Sequence, residues 1–458
     1  MDKTLTLIGF RINELFGSLN HNVELKGGVT FVHGPNGCGK TTTLLIVETI
    51  LKNKLSDLVK IEFSSAELDF SDNSTLIVRR VVRSVTPKKI DASISTSEQS
   101  ATDQEQVELQ VALKRGQAII GKKTNVLNLD SLDEIRTRFL HRPSMVEKAF
   151  PFLYRLNPRT WRNKHTGEVL TLPEVIETYS DPLTMEIPKW YFDLTNKVPV
   201  GVVRTQRLFD FRNLGDPEER PTVKELVNVL SNDIKDRINA KITESAIQFQ
   251  RKEKTFPHRI LEGSVKAGSE HDLRNAYIAL QSRIAALEAV GLQESSDSLI
   301  LPKIKLNPTH KRVLTLYLSD VNEKLDVFDD LYVKIQLVTK LLSKKFRRKK
   351  FSINRHDGFS IRSTDGADTP LKPSELSSGE KHQLVMLYEL IFSGKDKQLY
   401  LIDEPEISLH VEWQRQFLDD LQQIAESRGH QFVIATHSPQ IINGRRDLAV
   451  GLDGGVGE

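Results

Sequence analysis

The chain has 458 residues, of which 38% are apolar, and a formal net charge of +3 from 64 basic and 61 acidic residues. This length allows two or three domains with an ordinary hydrophobic core, and the balanced charge excludes a global field for nucleic acid or an anionic membrane. One cysteine, Cys38, excludes an intrachain disulfide, which favours a reducing compartment and a cytoplasmic location. We expect no secretory signal and no transmembrane helix, because no apolar run is long enough.

The first 130 residues predict the first lobe of an α/β fold. Apolar runs predict strands, and the alternation after Leu76 is typical of a half-buried antiparallel hairpin. One helix is predicted, and polar residues 86–106 are interpreted as a mobile hairpin tip or a loop. The predicted strands cover residues 5–10, 29–33, 60–70 and 74–85, and the helix covers 41–54.

A largely helical interval follows. Residues 131–212 mix short helical patterns with prolines and end in a strand over 198–205. Residues 213–345 carry two segments with heptad spacing, which predict an antiparallel helical arm, a short coiled coil reaching roughly 45 Å. Amphipathic helices packed on the core are the alternative. Residues 346–458 predict the second lobe of the α/β fold.

The loop GPNGCGKTT has the pattern of a phosphate-binding loop between an apolar strand and a helix. Glycines let its backbone N–H groups surround phosphate, and the helix N-terminus adds positive charge. Lys40 is predicted to bridge the β- and γ-phosphates and Thr41 to ligate Mg²⁺, so ATP and Mg²⁺ are the expected cofactors. A glycine turn with a solvated lysine is the alternative. The predicted nucleotide-binding residues here are Gly34, Pro35, Asn36, Gly37, Cys38, Gly39, Lys40, Thr41 and Thr42.

A second apolar strand, over residues 399–402, delivers Asp403 and Glu404 at its carboxyl end, where open α/β sheets bind ligands. Since side chains alternate along a strand, the two acids cannot share one role. Asp403 is predicted to hold Mg²⁺, and Glu404 to polarise the attacking water as the general base. Solvated acids in a strand-end turn are the alternative.

Two further segments resemble those of ABC-type ATPases. LSSGE, just before a helical run, resembles the LSGGQ signature, and a helix N-terminus there suits a γ-phosphate. The resemblance implies that this phosphate belongs to ATP on an opposing subunit, and therefore a dimer of nucleotide-binding faces. His437 in ATHSP resembles the switch histidine, which would contact the γ-phosphate and the catalytic water. The predicted signature residues are Ser377, Ser378, Gly379 and Glu380.

Other parts of the site have weaker sequence signals. Gln206 is the candidate Q-loop residue, an amide that would report Mg²⁺ and water occupancy, and residues 408–410 match the D-loop that crosses the dimer interface. The candidates for stacking on adenine are Phe10, Arg11 and Phe16, and the sequence does not distinguish among them.

The long interval between Lys40 and Ser378 argues against a transporter. The arrangement resembles the SMC, RecF and OLD-like ATPases, whose inserted helices divide an ABC-type ATPase into two lobes. DEPEISLHVEWQRQFLDDL, ATHSPQII and DLAV resemble the OLD-like branch of anti-phage systems. With the VRTQRL stretch, the overall pattern is most similar to the AriA ATPase family of PARIS defence systems, and next to the PtuA family of Septu systems.

That resemblance implies a homo-oligomeric scaffold that senses a phage-encoded protein and releases a toxic TOPRIM nuclease. OLD proteins continue into such a nuclease after their ATPase, and the residues after Glu404 leave no room for one. We therefore expect a separate nuclease or toxin subunit, as in toxin-antitoxin pairs.

A RecF-like DNA-repair ATPase is the rival interpretation. The basic run 344–350, which contains Phe346, could neutralise several phosphates of DNA, although such a run also suits a solvated surface or an oligomer contact. An ATPase that has become a pure interaction module conflicts with the intact set of hydrolytic residues.

Overall fold

The computed structural model divides the chain into two compact units. The first contains Met1–Arg220 and Gly394–Glu458, and the second, Pro221–Ser393, is inserted between these two parts. The structure describes residues 5–85, 104–128, 146–147, 153–157, 160–163, 169–172, 175, 187–204, 223–262, 266–293, 300–365, 368–394 and 396–452.

The strands of the described residues lie mostly in the first unit. In chain order they are β1 (Leu7–Leu15), β2 (Leu19–Glu24), β3 (Val29–His33), β4 (Ser65–Phe70), β5 (Ser74–Val85), β6 (Gln104–Arg115), β7 (Ala118–Asn128), β8 (Leu153–Asn157), β9 (Thr160–Asn163), β10 (Val169–Thr171), β11 (Val200–Arg204), β12 (Lys349–Asn354), β13 (Gly358–Ser363), β14 (Pro370–Leu371), β15 (Leu399–Asp403), β16 (Gln431–Ala435) and β17 (Ala449–Gly451).

The longer helices lie mostly in the second unit. Within the described ranges, the α-helices are α1 (Lys40–Leu51), α2 (Lys189–Thr195), α3 (Val223–Leu261), α4 (Glu270–Ala289), α5 (Pro308–Asp326), α6 (Asp329–Lys345), α7 (Ser378–Phe392), α8 (Val411–Arg428) and α9 (Pro439–Ile442). Short 3-10 helices cover Leu55–Lys60, Pro373–Glu375, Pro405–Ser408 and Arg446–Leu448.

The two larger sheets of the described residues and a buried helix form the core of the first unit. The antiparallel sheet has the order β2-β1-β4-β5-β6-β7, and the predicted hairpin is β4 with β5. The parallel sheet has the order β11-β15-β16-β3-β17. Helix α1 is apolar on most of its circumference, as expected of a helix covered on all sides. Its Ile46 and Ile50 share one core with Phe10 of the antiparallel sheet and Val433 of the parallel sheet.

The interval predicted to be a helical mixture differs from the prediction. Among the described residues of 131–212, strands β8, β9 and β10 form a small antiparallel sheet with Trp161 fully buried. These strands are too short for period-two alternation to be recognised in the sequence. Of the loop predicted over residues 86–106, residues 104–106 belong to β6 and the remainder lies outside the described residues.

In the second unit, the relative direction of the paired helices differs from the direction predicted for the arm. The backbone N–H of Leu306, just before α5, donates to Glu270 at the start of α4 (3.2 Å). Near the other ends of these helices, Arg283 donates to Asn322 (3.1 Å) and Asp326 (2.9 Å). Helices α4 and α5 are therefore parallel, and the prediction that these heptad segments pair in antiparallel fashion was wrong.

The antiparallel neighbour of α5 is α3. Ser245 Oγ donates to the carbonyl of Lys324 (3.1 Å), whereas Arg259, further along α3, pairs with Asp320, which is earlier in α5. The second heptad segment also breaks between α5 and α6, where Phe328 is buried. Heptad spacing identifies an apolar face but not a direction, and the long connection between α4 and α5 allows the chain to return.

Among the residues the structure describes, no helix is both long and apolar enough to cross a bilayer.

We predict that the Arg259→Met variant is less stable than the wild type. Both oxygens of the Asp320 carboxylate accept from Arg259 at 2.7 Å, and the Asp320 side chain is only 6% exposed. Removing Arg259 leaves a buried charge with weaker compensation from Lys252 at 4.0 Å, so the free energy of unfolding should fall by about 2 to 3 kcal/mol. Urea denaturation measures this change, with exposed Arg251→Met on the same helix as control. Equal losses in the two variants would contradict the prediction.

Candidate functional site

The predicted phosphate loop, acid pair and histidine turn meet where three parallel strands of the first unit end. Asp403 pairs with Ala435, and Ala435 pairs with Val32, so β15, β16 and β3 end in one row. Parallel strands place their carboxyl ends at the same sheet edge. The phosphate loop after β3, the acids ending β15 and the histidine turn after β16 are therefore neighbours.

The phosphate loop requires glycine for steric reasons. Gly37 and Gly39 have φ values of 84° and 82°, in the left-handed region that side chains rarely adopt. A Cβ at Gly34 would lie 2.7 Å from Cys38 Sγ, and one at Gly39 would lie 2.7 Å from a methyl group of Leu15. The backbone of this loop can therefore form only with these glycines.

Lys40 and Thr41 begin α1 with different surroundings. Lys40 is 5% exposed, and its ammonium donates to the carbonyls of Gly34 and Pro35, both at 2.9 Å. Thr41 is exposed, and its hydroxyl donates to Asp403 Oδ1 at 3.1 Å. Asn36 is exposed at the tip of the loop and Thr42 is half-buried on α1.

Glu404 and His437 lie together at the same edge. His437 Nε2 is 3.5 Å from Glu404 Oε1, and each side chain is about one-third exposed (32% and 30%). Glu404 has φ 47° and ψ 56°, a left-handed conformation, and its backbone N–H donates to Ala435 O at 2.8 Å. This backbone turn directs the Glu404 side chain away from the strand pleat, which separates it from Asp403.

The signature residues belong to the second unit, at the start of α7. Ser377 caps the helix by accepting from the Glu380 N–H at 3.3 Å, and Glu380 accepts from the Ser377 N–H at 2.8 Å. This reciprocal pair is a capping box. Ser378 is exposed and Gly379 half-buried in the first turn. Four main-chain N–H groups of a helix N-terminus have no partner within the helix, which makes such a turn suited to anions.

Glu380 departs from the glutamine of the ABC signature, and Lys349 compensates. The Lys349 ammonium donates to both Glu380 carboxylate oxygens, at 2.8 and 2.7 Å. Burial raises the pKa of Glu380, but the hydrogen bonds from Lys349 and Ser377 outweigh it and hold the pKa below the ordinary value. Glu380 is therefore a charged structural residue of this turn.

Burial and ion pairing separate the three candidates for adenine contact. Phe10 is 1% exposed within the core, and Arg11 forms ion pairs with Glu67 and Asp69, both at 2.9 Å. Phe16 is 48% exposed, and its ring edge would be 3.4 Å from a Cβ at Gly39. Of the three, Phe16 alone presents an open aromatic face beside the phosphate loop.

The predicted Q-loop and D-loop are described only in part. Gln206 lies outside the described residues, although the strand before it pairs Arg204 with Asp403. In the D-loop segment Leu409 is buried, and His410 caps α8 by accepting from the Glu412 N–H at 3.4 Å.

The structure divides the basic run 344–350. Lys345 and Phe346 are buried (4% and 3% exposed), and Lys349 pairs with Glu380. The aromatic ring packs edge-on against Phe351 in the core. The exposed basic residues of the run are Lys344, Arg347, Arg348 and Lys350.

Sequence reasoning missed Glu406 and Gln414, which hold the turn of His437 through hydrogen bonds described below. Neither has a local signal that separates it from solvated surface residues, because both act through contacts with segments distant in sequence.

Comparison with known proteins identifies the family of the chain. The model of a family described as AAA ATPase domain matches residues 14–442. Among curated proteins none matches the chain. Two solved structures that match are the Smc head domain with an extended coiled coil bound to the C-terminal domain of ScpA, derived from Pyrococcus furiosus, and the SmcHead bound to the C-winged helix domain of ScpA. They are 12% and 10% identical to this chain, respectively, and both have a TM-score of 0.34. The matched regions span 98% and 97% of this chain, and 93% and 94% of the chains in those structures.

The predicted fold class is confirmed by the family match and by the architecture described above. The chain has an α/β P-loop ATPase fold, with a mostly helical unit inserted between the phosphate loop and the strand that carries the acid pair.

We predict that Lys349→Met destabilises the protein at neutral pH and that the difference from wild type shrinks in acid. A carboxyl group with a lowered folded-state pKa stabilises the fold above its ordinary pKa, and this contribution is lost as pH falls through the lowered pKa. Protonated Glu380 no longer needs the ammonium partner. Denaturant unfolding from pH 7 down to about pH 3, which extends below the ordinary pKa of glutamate, measures the difference, with exposed Lys350→Met as control. A difference that stays constant with pH would contradict the role given to Glu380.

Proposed function

The chain belongs to the AAA ATPase domain family, and from this premise we propose that it binds Mg-ATP on the loop from Gly34 to Thr42 and hydrolyses it with Glu404 as general base. The observation that carries the proposal is the convergence of distant segments on one sheet edge. Thr41 lies 3.1 Å from Asp403, and Glu404 lies 3.5 Å from His437.

The residues present fit a magnesium ion. The Thr41 hydroxyl and the Asp403 carboxylate are hard oxygen donors, which Mg²⁺ prefers, and they stand within hydrogen-bond distance of each other. Thr41 would ligate the ion directly, Asp403 through water, and Gln206 is assigned to the same ion as the Q-loop residue. When bound, Mg²⁺ neutralises charge on the β- and γ-phosphate oxygens.

Glu404 accepts a proton from the attacking water, whose oxygen then bonds the γ-phosphorus as the bond to the β-phosphate oxygen breaks. The products are ADP and inorganic phosphate. Lys40 supplies positive charge to the phosphates, and His437 donates a hydrogen bond to the γ-phosphate from its place beside Glu404. Because the left-handed turn at Glu404 holds its backbone against Ala435, the base is oriented before substrate binds.

The signature turn acts on a second subunit. Ser377, Ser378 and Gly379 offer a hydroxyl and helix N-terminal N–H groups to the γ-phosphate of ATP bound by the partner. The sequence resemblance to ABC-type ATPases supports this dimer, and the rigid cap formed by Glu380 with Lys349 supports a preformed turn. The exposed ring of Phe16 is the surface assigned to adenine.

In the cell, the protein acts as the homo-oligomeric sensor and scaffold of an anti-phage system. It holds a separate TOPRIM-type nuclease or toxin subunit and releases it when a phage-encoded protein is present. The resemblance to OLD-like and AriA ATPases supports this role. The rival role in DNA repair has less support, because two residues of the basic run are buried and a third is paired with Glu380. DNA contact would fall to the remaining exposed residues of that run, including Arg347 and Lys350.

We predict that Glu404→Gln separates ATP binding from hydrolysis. The amide cannot accept the proton of water, so kcat should fall by about a hundredfold or more, while ATP affinity is retained and the closed dimer accumulates. Lys40→Ala should lose ATP binding, since the β- and γ-phosphate charge loses its counter-charge. Phosphate release, equilibrium ATP binding and light scattering measure the three properties. Near-normal turnover in Glu404→Gln would place the base elsewhere.

We predict that Glu404→Gln protein, tagged and isolated from its own host with Mg-ATP after nuclease treatment, is a large homo-oligomer bound to a second protein with nuclease activity. Native mass spectrometry gives the mass and composition. A control preparation of Lys40→Ala should lack the ATP-dependent part of the assembly. A bare dimer retained only on DNA, with steeply salt-dependent affinity, would contradict the defence role and favour repair.

A further inference from the structure

The His437 turn is held by a carboxylate that is not part of the predicted catalytic set. Glu406 lies in the 3-10 turn Pro405–Ser408, immediately after the acid pair. Its Oε1 accepts from the Thr436 hydroxyl and from the His437 backbone N–H, both at 2.8 Å. Thr436 is fully buried, and its hydroxyl oxygen also accepts from the Ser438 N–H at 2.9 Å. One carboxylate oxygen therefore organises three successive residues around the histidine.

A glutamine on α8 closes the same network from the other side. Gln414 Nε2 donates to the carbonyls of Glu406 (3.2 Å) and Leu409 (3.1 Å), and its Oε1 accepts from the Ser438 hydroxyl (3.1 Å). Gln414 thus contacts both the segment after the acids and the segment after His437. The two segments are joined through side chains as well as through their neighbouring strands.

This network acts on the backbone of His437 and leaves its imidazole to face Glu404. The contact between His437 Nε2 and Glu404 Oε1 is 3.5 Å, in a partly exposed setting where neither side chain is held by core packing. Hydrogen bonds to a charged acceptor are stronger than neutral ones. The hydrogen bond that the His437 backbone N–H donates to the Glu406 carboxylate has such a charged acceptor.

We propose that Glu406, supported by Gln414, is a positioning residue for the hydrolysis step. It sets the place of the His437 imidazole beside Glu404 and does not contact nucleotide. The proposal rests on the proposed function, since it assumes that His437 and Glu404 act on the γ-phosphate and water. It also makes the position of His437 depend on the 3-10 turn Pro405–Ser408, which carries Glu406 and the exposed Ile407 and precedes the D-loop segment.

The test compares Glu406→Ala with wild type for ATP turnover and ATP affinity. Misplacing a catalytic group by about 1 Å can cost about a hundredfold in rate, so we expect kcat to fall by about tenfold to a hundredfold, while ATP affinity changes little. Glu406→Gln keeps an acceptor oxygen for Thr436 and His437 and should recover part of the rate. Glu426→Ala, an exposed acid on α8, is the matched control and should equal wild type.

A double variant separates positioning from general loss of stability. If Glu406 acts through His437, adding Glu406→Ala to His437→Ala should cause no further loss of rate, because effects within one catalytic unit are not additive. An additive loss would overturn the proposal. If Glu406→Ala fails to fold, Gln414→Leu tests the same network with the same readouts.

Hydrogen exchange of residues 435–442 tests whether Glu406 holds the His437 backbone, and it does not depend on ATP turnover. The His437 N–H should exchange faster in Glu406→Ala than in wild type and Glu426→Ala, because its charged acceptor is gone. Unchanged exchange would overturn the proposal. Absence of ATPase activity in the wild type would instead count against the proposed function, and exchange would still report on Glu406.

Discussion

The parallel register of β3, β15 and β16 is the constraint on which the site depends. Asp403, Ala435 and Val32 stand in one row. A slip of one residue in any strand would turn its side chains to the opposite face. Residues far apart in sequence then would not meet. The strongly apolar strands, buried on both faces, hold this register, so the geometry of the catalytic edge follows from core packing.

Helix α1 connects that core to the phosphate loop. Its body is buried between the two sheets of the first unit, and Tyr191 donates to Ile50 O at 2.8 Å near its C-terminal end. Its first residue is Lys40, directly after the left-handed Gly39. The element that begins at the phosphate-binding loop is thus one of the best-packed elements of the unit. A buried helix cannot shift without opening the core, which keeps its N-terminus fixed relative to Asp403.

In the inserted unit, a negative charge in the signature turn is compensated by a lysine. A glutamate in place of the usual glutamine adds a negative charge to a turn assigned to an anion. Lys349 neutralises that charge while the carboxylate caps the helix. A chain of aromatic contacts then runs from Phe346 through Phe351 and Phe359 to Tyr388 on the signature helix. Lys349 and Phe346, which belong to the basic run that suggested DNA binding, therefore have structural roles around this turn.

The sequence by itself determined the features that depend on short-range chemistry. The phosphate loop, the acid pair and the strands around them were predicted because glycine conformations, strand alternation and helix starts are encoded by adjacent residues. Tertiary structure alone decided the direction of α4 against α5, the burial of Phe10 as opposed to Phe16, and the role of Glu406. Apolar spacing shows which face is buried, but the partner that covers it depends on how connections return the chain. Likewise, a carboxylate acquires its function from donors such as Thr436, which only folding brings within reach.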